Sequence, residues 1–254
     1  MIRLEACIHP NAIRDISIHT QHPDAHGAAY WHGHSCFTLV TDDGTRIMFD
    51  PFLDDSPTAD IRVDDVTELD YILVSHGHFD HFSDCLPIAK RTGAQVVSTF
   101  ELVSFVQSKG VENGHGMNIG GGYQFPFGRV KLTPAIHTGS VAGDEEGSFT
   151  TDCCGFLIDL NGGKRLYHSG DTALTLDMQL LKGAVDLALL PIGDNFTMGP
   201  EDAARAVEFI EPSTVIPMHY NTWDLIAQDP EDFRRRVGDR ATVEILEPGD
   251  SYEF

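Results

Sequence analysis

The chain has 254 residues, 41% of them hydrophobic and 22% charged, a globular composition that excludes a disordered, collagenous or coiled-coil molecule. That length fits one large domain or two small ones with a full core. Seventeen Lys and Arg stand against 39 Asp and Glu, a formal charge of −22, so no nucleic-acid and no anionic-membrane partner is expected.

Met1 to Asp15 shows neither a long apolar stretch nor a small-residue cleavage pattern, so no secretory signal is expected and the reading is cytoplasmic. No apolar run approaches the roughly 18–20 residues of a membrane span. Asp outnumbers Glu and Arg outnumbers Lys, which fits either a salt-rich habitat or a plain acidic protein. The five cysteines, Cys7, Cys36, Cys85, Cys153 and Cys154, form no C-x-x-C and read as reduced, mostly buried thiols.

Residues 1–29 carry His9, His19, His22 and His26 without sustained periodicity and read as an amino-terminal extension of open role. A regular pattern starts at Tyr30, so 30–254 is read as one domain. Cys36–Val40 and Arg46–Phe49 read as strands joined at Asp42-Asp43-Gly44. Tyr71–Ser75 is a short β-type run that enters a His-rich loop. Ser83 is placed as the cap of a helix to about Arg91. A strand at Gln95–Ser98 precedes a helix at Thr99–Lys109, stopped by Gly110. Glycines between 114 and 122 mark a loop. Strands follow near Arg129–Thr133, Gly155–Leu160 and Arg165–His168, the last two joined at Asn161-Gly162-Gly163. Asp186–Leu190 and Thr214–Pro217 are strands around a helix that starts at Pro200. Another helix opens at Asp229-Pro230, and Thr242–Leu246 closes as a strand. Local strand pairing followed by alternation with helices predicts an α/β domain of two sheets covered by helices.

Chemistry concentrates in Ser75-His76-Gly77-His78-Phe79-Asp80-His81, directly after a strand. Residues two apart on extended backbone share a side, so His76 and His78 converge on one cation, while Asp80 and His81 face a second after the chain turns. Gly77 is expected to let the backbone bend close to the metals. Imidazole with carboxylate suits zinc first, with manganese or iron as alternatives. Further donors are expected after other strands: His137, Asp171 and His219. Each alone also reads as a turn Asp or a buried core His. Asp50 is a candidate to orient a ligand imidazole or an ordinary turn residue. His34 is placed near the rim as a catalytic candidate, in contact with substrate or metal-bound water, or as a structural hydrogen bond. His168 is placed near the same rim, and His115 reads as a surface residue.

The chain resembles the metallo-β-lactamase superfamily: H-x-H-x-D-H, a later His, an Asp in Gly-Asp-Thr and a final His occur in that family's order. It is most similar to the UPF0173 metal-dependent hydrolases, through His32-Gly33-His34-Ser35, Phe49-Asp50-Pro51-Phe52, Asn118-Ile119-Gly120-Gly121, Tyr167 to Thr172, Leu190 to Met198 and Pro217 to Thr222. The likeness spans about Tyr30 to Phe254. It implies an αββα sandwich, two mixed β-sheets flanked by helices, with two divalent metal ions. Site one would be His76, His78 and His137, site two Asp80, His81 and His219, with Asp171 bridging. A metal-bridging hydroxide would attack, and Asp80 would take its proton and return it to the leaving group. Members that carry a redox di-iron centre replace one of these histidines by a carboxylate, and this chain does not. Thr197, Met198 and Asn221 would line the pocket. The implied partner is a small-molecule substrate: an ester, lactone or phosphoester. Three alternatives stay open: a small phosphodiesterase of cyclic-nucleotide or lipid type, a mononuclear iron oxygenase, and a non-catalytic metal-binding protein. Assembly into a homo-oligomer is also open.

Overall fold

The computed structural model describes residues 27–147 and 149–254. The early histidines His9, His19, His22 and His26, and Cys7, lie outside them. The first half contributes β1 (Ala28–Trp31), β2 (Phe37–Val40), β3 (Arg46–Phe49), β4 (Tyr71–Leu73), β5 (Gln95–Thr99) and β6 (Gly114–Met117). The second contributes β7 (Gly122–Phe125), β8 (Gly128–Pro134), β9 (Cys154–Leu160), β10 (Arg165–His168), β11 (Leu187–Pro191), β12 (Thr214–Met218) and β13 (Thr242–Val243), and β14 (Ser251–Glu253) ends the chain. Two seven-stranded sheets result, ordered β14-β1-β2-β3-β4-β5-β6 and β13-β12-β11-β10-β9-β8-β7. Each is antiparallel on one side and parallel on the other. With flanking helices this is the αββα sandwich that the sequence implied.

Burial explains the pairing. In β8, Val130 and Leu132 are buried while Arg129 and Lys131 are exposed, the period of a strand with one covered face. All five residues of β11 and of β12 are buried, as in parallel strands covered on both faces. Phe37, Leu39 and Phe49 meet Val130, Phe156 and Tyr167 in the core between the sheets. Helices α2 (Cys85–Thr92) and α3 (Phe100–Ser108) bury Ile88, Leu102, Phe105 and Val106 with Ile72 and Val96 of the first sheet. On the second sheet, α4 (Pro200–Ile210) starts with Pro and two acids, and α5 (Pro230–Val237) is capped by the Asp229 carboxylate, which accepts from Glu231 N–H. Among the described residues no helix is long and apolar enough to cross a membrane. Cys36, Cys85, Cys153 and Cys154 are buried and free.

Several elements differ from the sequence expectation. Ser83 does not start α2: its N–H closes the preceding turn on the Phe79 carbonyl at 3.1 Å, and α2 follows Asp84, whose carboxylate accepts from the Leu53 and Asp54 N–H groups at 2.6 and 3.1 Å. A separate single turn, α1 (Phe79–Phe82), lies ahead of it. The glycine-rich stretch 114–122 holds β6 and the start of β7 rather than only a loop. A side chain at Gly116 would come within 3.0 Å of Phe100, so these glycines serve close packing of strand on helix. The closing strand is only Thr242–Val243, and the short strands β1 and β14 carried no readable period.

The sheets bring the C-terminal ends of β3, β4, β8, β10, β11 and β12 to one end of the sandwich, the usual place for a site in such sheets. Phe156 sits at 0% exposure in the inter-sheet core, with Phe49 at 6.1 Å and His168 at 6.5 Å between ring centroids. Phe156→Ala is expected to lower the unfolding free energy by about 3–5 kcal/mol. A urea melt with a change under about 1 kcal/mol would contradict this core assignment.

Candidate metal centre

His76 and His78 leave β4 on extended backbone, and α1 then turns Asp80 and His81 toward the same space. The loop is stitched to the second sheet, since Cys154 N–H donates to the Ser75 carbonyl at 3.0 Å. A Cβ at Gly77 would lie 2.8 Å from the Ser140 carbonyl, so its smallness admits the 139–142 segment against the loop. Gly170, at φ +61°, lets the Asp171 loop descend onto Ser75, where a Cβ would meet Ser75 at 2.9 Å. His219 N–H donates to the His34 carbonyl at 3.0 Å, joining the β12 end to the β1–β2 connection.

All seven expected donors converge, and they form overlapping groups. His76, His78 and His137 offer nitrogens within 4.8 Å of one another. So do His76, His81 and Asp171, and a third group joins Asp80, His81 and His219 with His34. His76 Nε2 lies 3.0 Å and His137 Nε2 3.3 Å from His78 Nδ1. Asp171 Oδ2 lies 3.0 Å from His219 Nε2, 3.2 Å from His81 Nε2 and 3.6 Å from His137 Nε2.

Asp50 supports the cluster from beneath. Ser75 N–H and Oγ–H both donate to its carboxylate at 2.6 Å, and His81 Nδ1–H donates at 2.8 Å. His76 Nδ1 then donates to Ser75 Oγ at 2.9 Å, because that hydroxyl has given its proton to Asp50. Both imidazoles are thereby held with Nε2 turned into the cluster. His34 is wholly buried, with Nδ1 at 2.7 Å from Thr222 Oγ1 and Nε2 at 3.2 Å from Asp80 Oδ2. His168 is not on the rim. It lies buried and stacked on Phe49, and its Nδ1 accepts from Gly170 N–H at 3.1 Å. Met198 is buried in the core, Asn221 is exposed with its side-chain Oδ1 accepting from Gln228 N–H, and the His115 ring lies tilted against Tyr123 with centroids 4.2 Å apart.

Backbone strain collects here. Seven non-glycine residues have positive φ among the described ones, and six of them, including His34, Asp50 and His219, lie in the loops at this end. Such conformations cost of order 1–3 kcal/mol each and persist only where the surroundings over-determine them.

Three carboxylates, the buried Asp50 and Asp171 and the partly exposed Asp80, meet in this space, and their ion-pair partners among the described residues are all histidines. Burial alone would lower His81, but Asp171, Asp80 and Asp50 raise it well above the ordinary imidazole value. Burial would raise Asp171 and Asp80, yet His219 and His81 hold the first, and His81 and His34 the second, below the carboxylate range. Burial lowers His76, His78, His137 and His168, and burial with His219 pushes His34 down to about 4. His81 Nε2 and Asp171 Oδ1 are buried without a hydrogen-bond partner, although the former is only 3.2 Å from Asp171 Oδ2. Uncompensated negative charge, inward imidazole nitrogens and unpartnered atoms fit a cation-binding donor set. A cleft of about 460 Å³ at the opposite strand ends, lined by Lys164, Arg165, Asp186 and Glu211, offers no such cluster.

Sequence reasoning did not find the aromatic residues beside the site. Phe52, Phe79 and Trp223 pack together with centroids 5.8–6.0 Å apart, and Phe52 and Trp223 pack on His34 at 5.7 and 5.1 Å. They come from three loops, so no local pattern announces them.

Residues 45–220 match the family described as a beta-lactamase superfamily domain. A UPF0173 metal-dependent hydrolase of Heliobacterium modesticaldum is 49% identical over 228 residues, covering 86% of this chain and 94% of that protein. Its counterpart in Pelotomaculum thermopropionicum is 48% identical over 228 residues, covering 87% and 97%. Among solved structures, Igni18, a metallo hydrolase of the archaeon Ignicoccus hospitalis, matches with a TM-score of 0.80 and 34% identity, over 90% of this chain and 99% of that one.

The imidazoles set the pH response of the metal-stripped protein. Five with lowered values bind protons more readily when unfolded, so stability falls as pH drops below about 6.5. His81, raised, holds its proton more tightly when folded, so its contribution is lost as pH rises above that value. The melting temperature of the stripped protein is expected to peak near pH 6.5 and fall toward both pH 5 and pH 9. A flat profile would contradict this charge arrangement.

Proposed function

Because the chain belongs to the UPF0173 metal-dependent hydrolases of the beta-lactamase superfamily, we propose that its donors hold two divalent cations and that it hydrolyses a small ester, lactone or phosphoester. The observation that carries this reading is Asp171 Oδ2, which stands within 3.0–3.6 Å of imidazole nitrogens from three separate loops. His76, His78 and His137 would hold the first cation and Asp80, His81 and His219 the second, with Asp171 shared between them. Imidazole with carboxylate donors favours zinc. The domain that does this is 30–254, with 1–29 as an extension.

Bound divalent cations supply an acidified water and a polarised carbonyl or phosphoryl oxygen. The chain's own residues do the rest. Asp80, one of three partly exposed donors with His78 and His137, faces the mouth and accepts the proton of the attacking water. The same carboxyl then returns the proton to the leaving group, so the step balances without a protein nucleophile. His34 donates from Nε2 to Asp80 and holds its carboxylate in place, which makes it a positioning residue. Asp50 and Ser75 orient His81 and His76.

Elemental analysis of the purified protein is expected to give two divalent metals per chain. Asp171→Ala is expected to reduce this to one or none and to lower kcat/KM on an ester by at least about a hundredfold. Unchanged occupancy in that variant would overturn the bridging role. Asp50→Asn, which touches no reacting atom, is expected to weaken metal affinity by about 10–100-fold, read by chelator competition. Equal affinity would show that Asp50 only closes a turn.

A further inference from the structure

The loops that surround the donors are 32–36, 50–58, 75–84, 135–152, 168–176, 191–199 and 219–229. Together they contain thirteen Asp or Glu and not one Lys or Arg. The cations that reach this end from elsewhere are committed to backbone carbonyls. Arg62 donates to Leu53 and Asp54 at 2.8 and 2.9 Å, and Lys109 to Gly143 at 3.4 Å. A phosphorylated or carboxylated substrate would therefore approach through a field of its own sign, with no Lys or Arg in these loops to grip its charge. Asp50, Asp80 and Asp171 already offset most of the charge that two divalent cations bring.

The same mouth is rich in exposed apolar surface. Phe79, 56% exposed, sits between His78 and Asp80, and Ile136, 63% exposed, directly precedes His137. Phe79 leans on Trp223, which is half-buried and rests against His34, itself 3.2 Å from the Asp80 carboxylate. Exposed aromatic rings held rigidly by neighbours, beside a reactive group, bind apolar matter at low entropic cost. The wall lies on the Asp80 side, where the leaving group is protonated.

Resting on the hydrolase reading above, we propose that the natural substrate is an uncharged carboxylic ester or lactone whose apolar leaving-group portion packs against Phe79 and Trp223, and that these two residues determine specificity. Phosphoesters are thereby placed outside its preferred class.

Hydrolysis by the metal-loaded protein, followed by pH-stat, tests this with three esters of matched reactivity: benzyl butyrate, methyl butyrate and monobenzyl succinate. Benzyl butyrate is expected to exceed each of the others by about tenfold or more in kcat/KM, in line with the burial of one ring and with repulsion of the succinate carboxylate. Phe79→Ala and Trp223→Leu are expected to collapse the benzyl-to-methyl ratio severalfold while metal content stays at two per chain. A succinate ester turned over as well as the butyrate, or a ratio unmoved in both variants, overturns the substrate class and leaves the hydrolase reading standing. No turnover of any of the three by protein with full metal content overturns the substrate class, and the hydrolase reading falls with it only if a phosphodiester, bis(p-nitrophenyl) phosphate, is not hydrolysed either. Phe79 is exposed, so its variant tests the ring without disturbing the core.

Discussion

Three carboxylates at one end of a sandwich, two of them buried and none paired with a Lys or Arg among the described residues, constrain everything else in this protein. Asp50, Asp80 and Asp171 can remain ionised in a dry environment only if positive charge and hydrogen-bond donors are arranged around them. The chain supplies donors as imidazoles and as the Ser75 amide and hydroxyl. His81, surrounded by all three acids, is raised well above the ordinary imidazole value by them against the effect of burial. A metal cation held by the same donors would satisfy the same electrostatic demand.

That arrangement explains features that look unrelated. The left-handed backbone at His34, Asp50 and His219 is strain that the fold tolerates because each side chain has a fixed position to reach. Gly77 and Gly170 are small because loops from opposite sheets press together at Ser75. His168, far from being a rim residue, is a packed imidazole whose ring fills the core on Phe49 and whose nitrogen anchors the Gly170 amide. Sheets, glycines and core thus combine to bring six loops within hydrogen-bond range of one another.

The electrostatics outside the cluster have a separate logic. The loops at the mouth carry acids and aromatic rings but no Lys or Arg of their own, an arrangement able to select by repulsion as much as by attraction. Phe79 neighbours Asp80 in the sequence, whereas Trp223 joins it only through packing.

Much was legible from residues alone. The H-x-H-x-D-H run is local, so its spacing on a strand end and a single turn already implies convergence, and His137, Asp171 and His219 follow strands in a readable order. Alternation in β8 and continuous burial in β11 and β12 are likewise local signals. Other features depended on distant partners. Strands β1 and β14 are too short to show a period, the glycines of β6 look like a loop until α3 lies against them, and the first turn after His78 hides within the motif. The sequence by itself determined which side chains can carry charge and metal chemistry, because donor type and local spacing are written in neighbouring residues. Only the tertiary structure decided that His34 clamps Asp80, that His168 belongs to the core and that Phe52, Phe79 and Trp223 form one wall, because each depends on contacts between segments far apart along the chain.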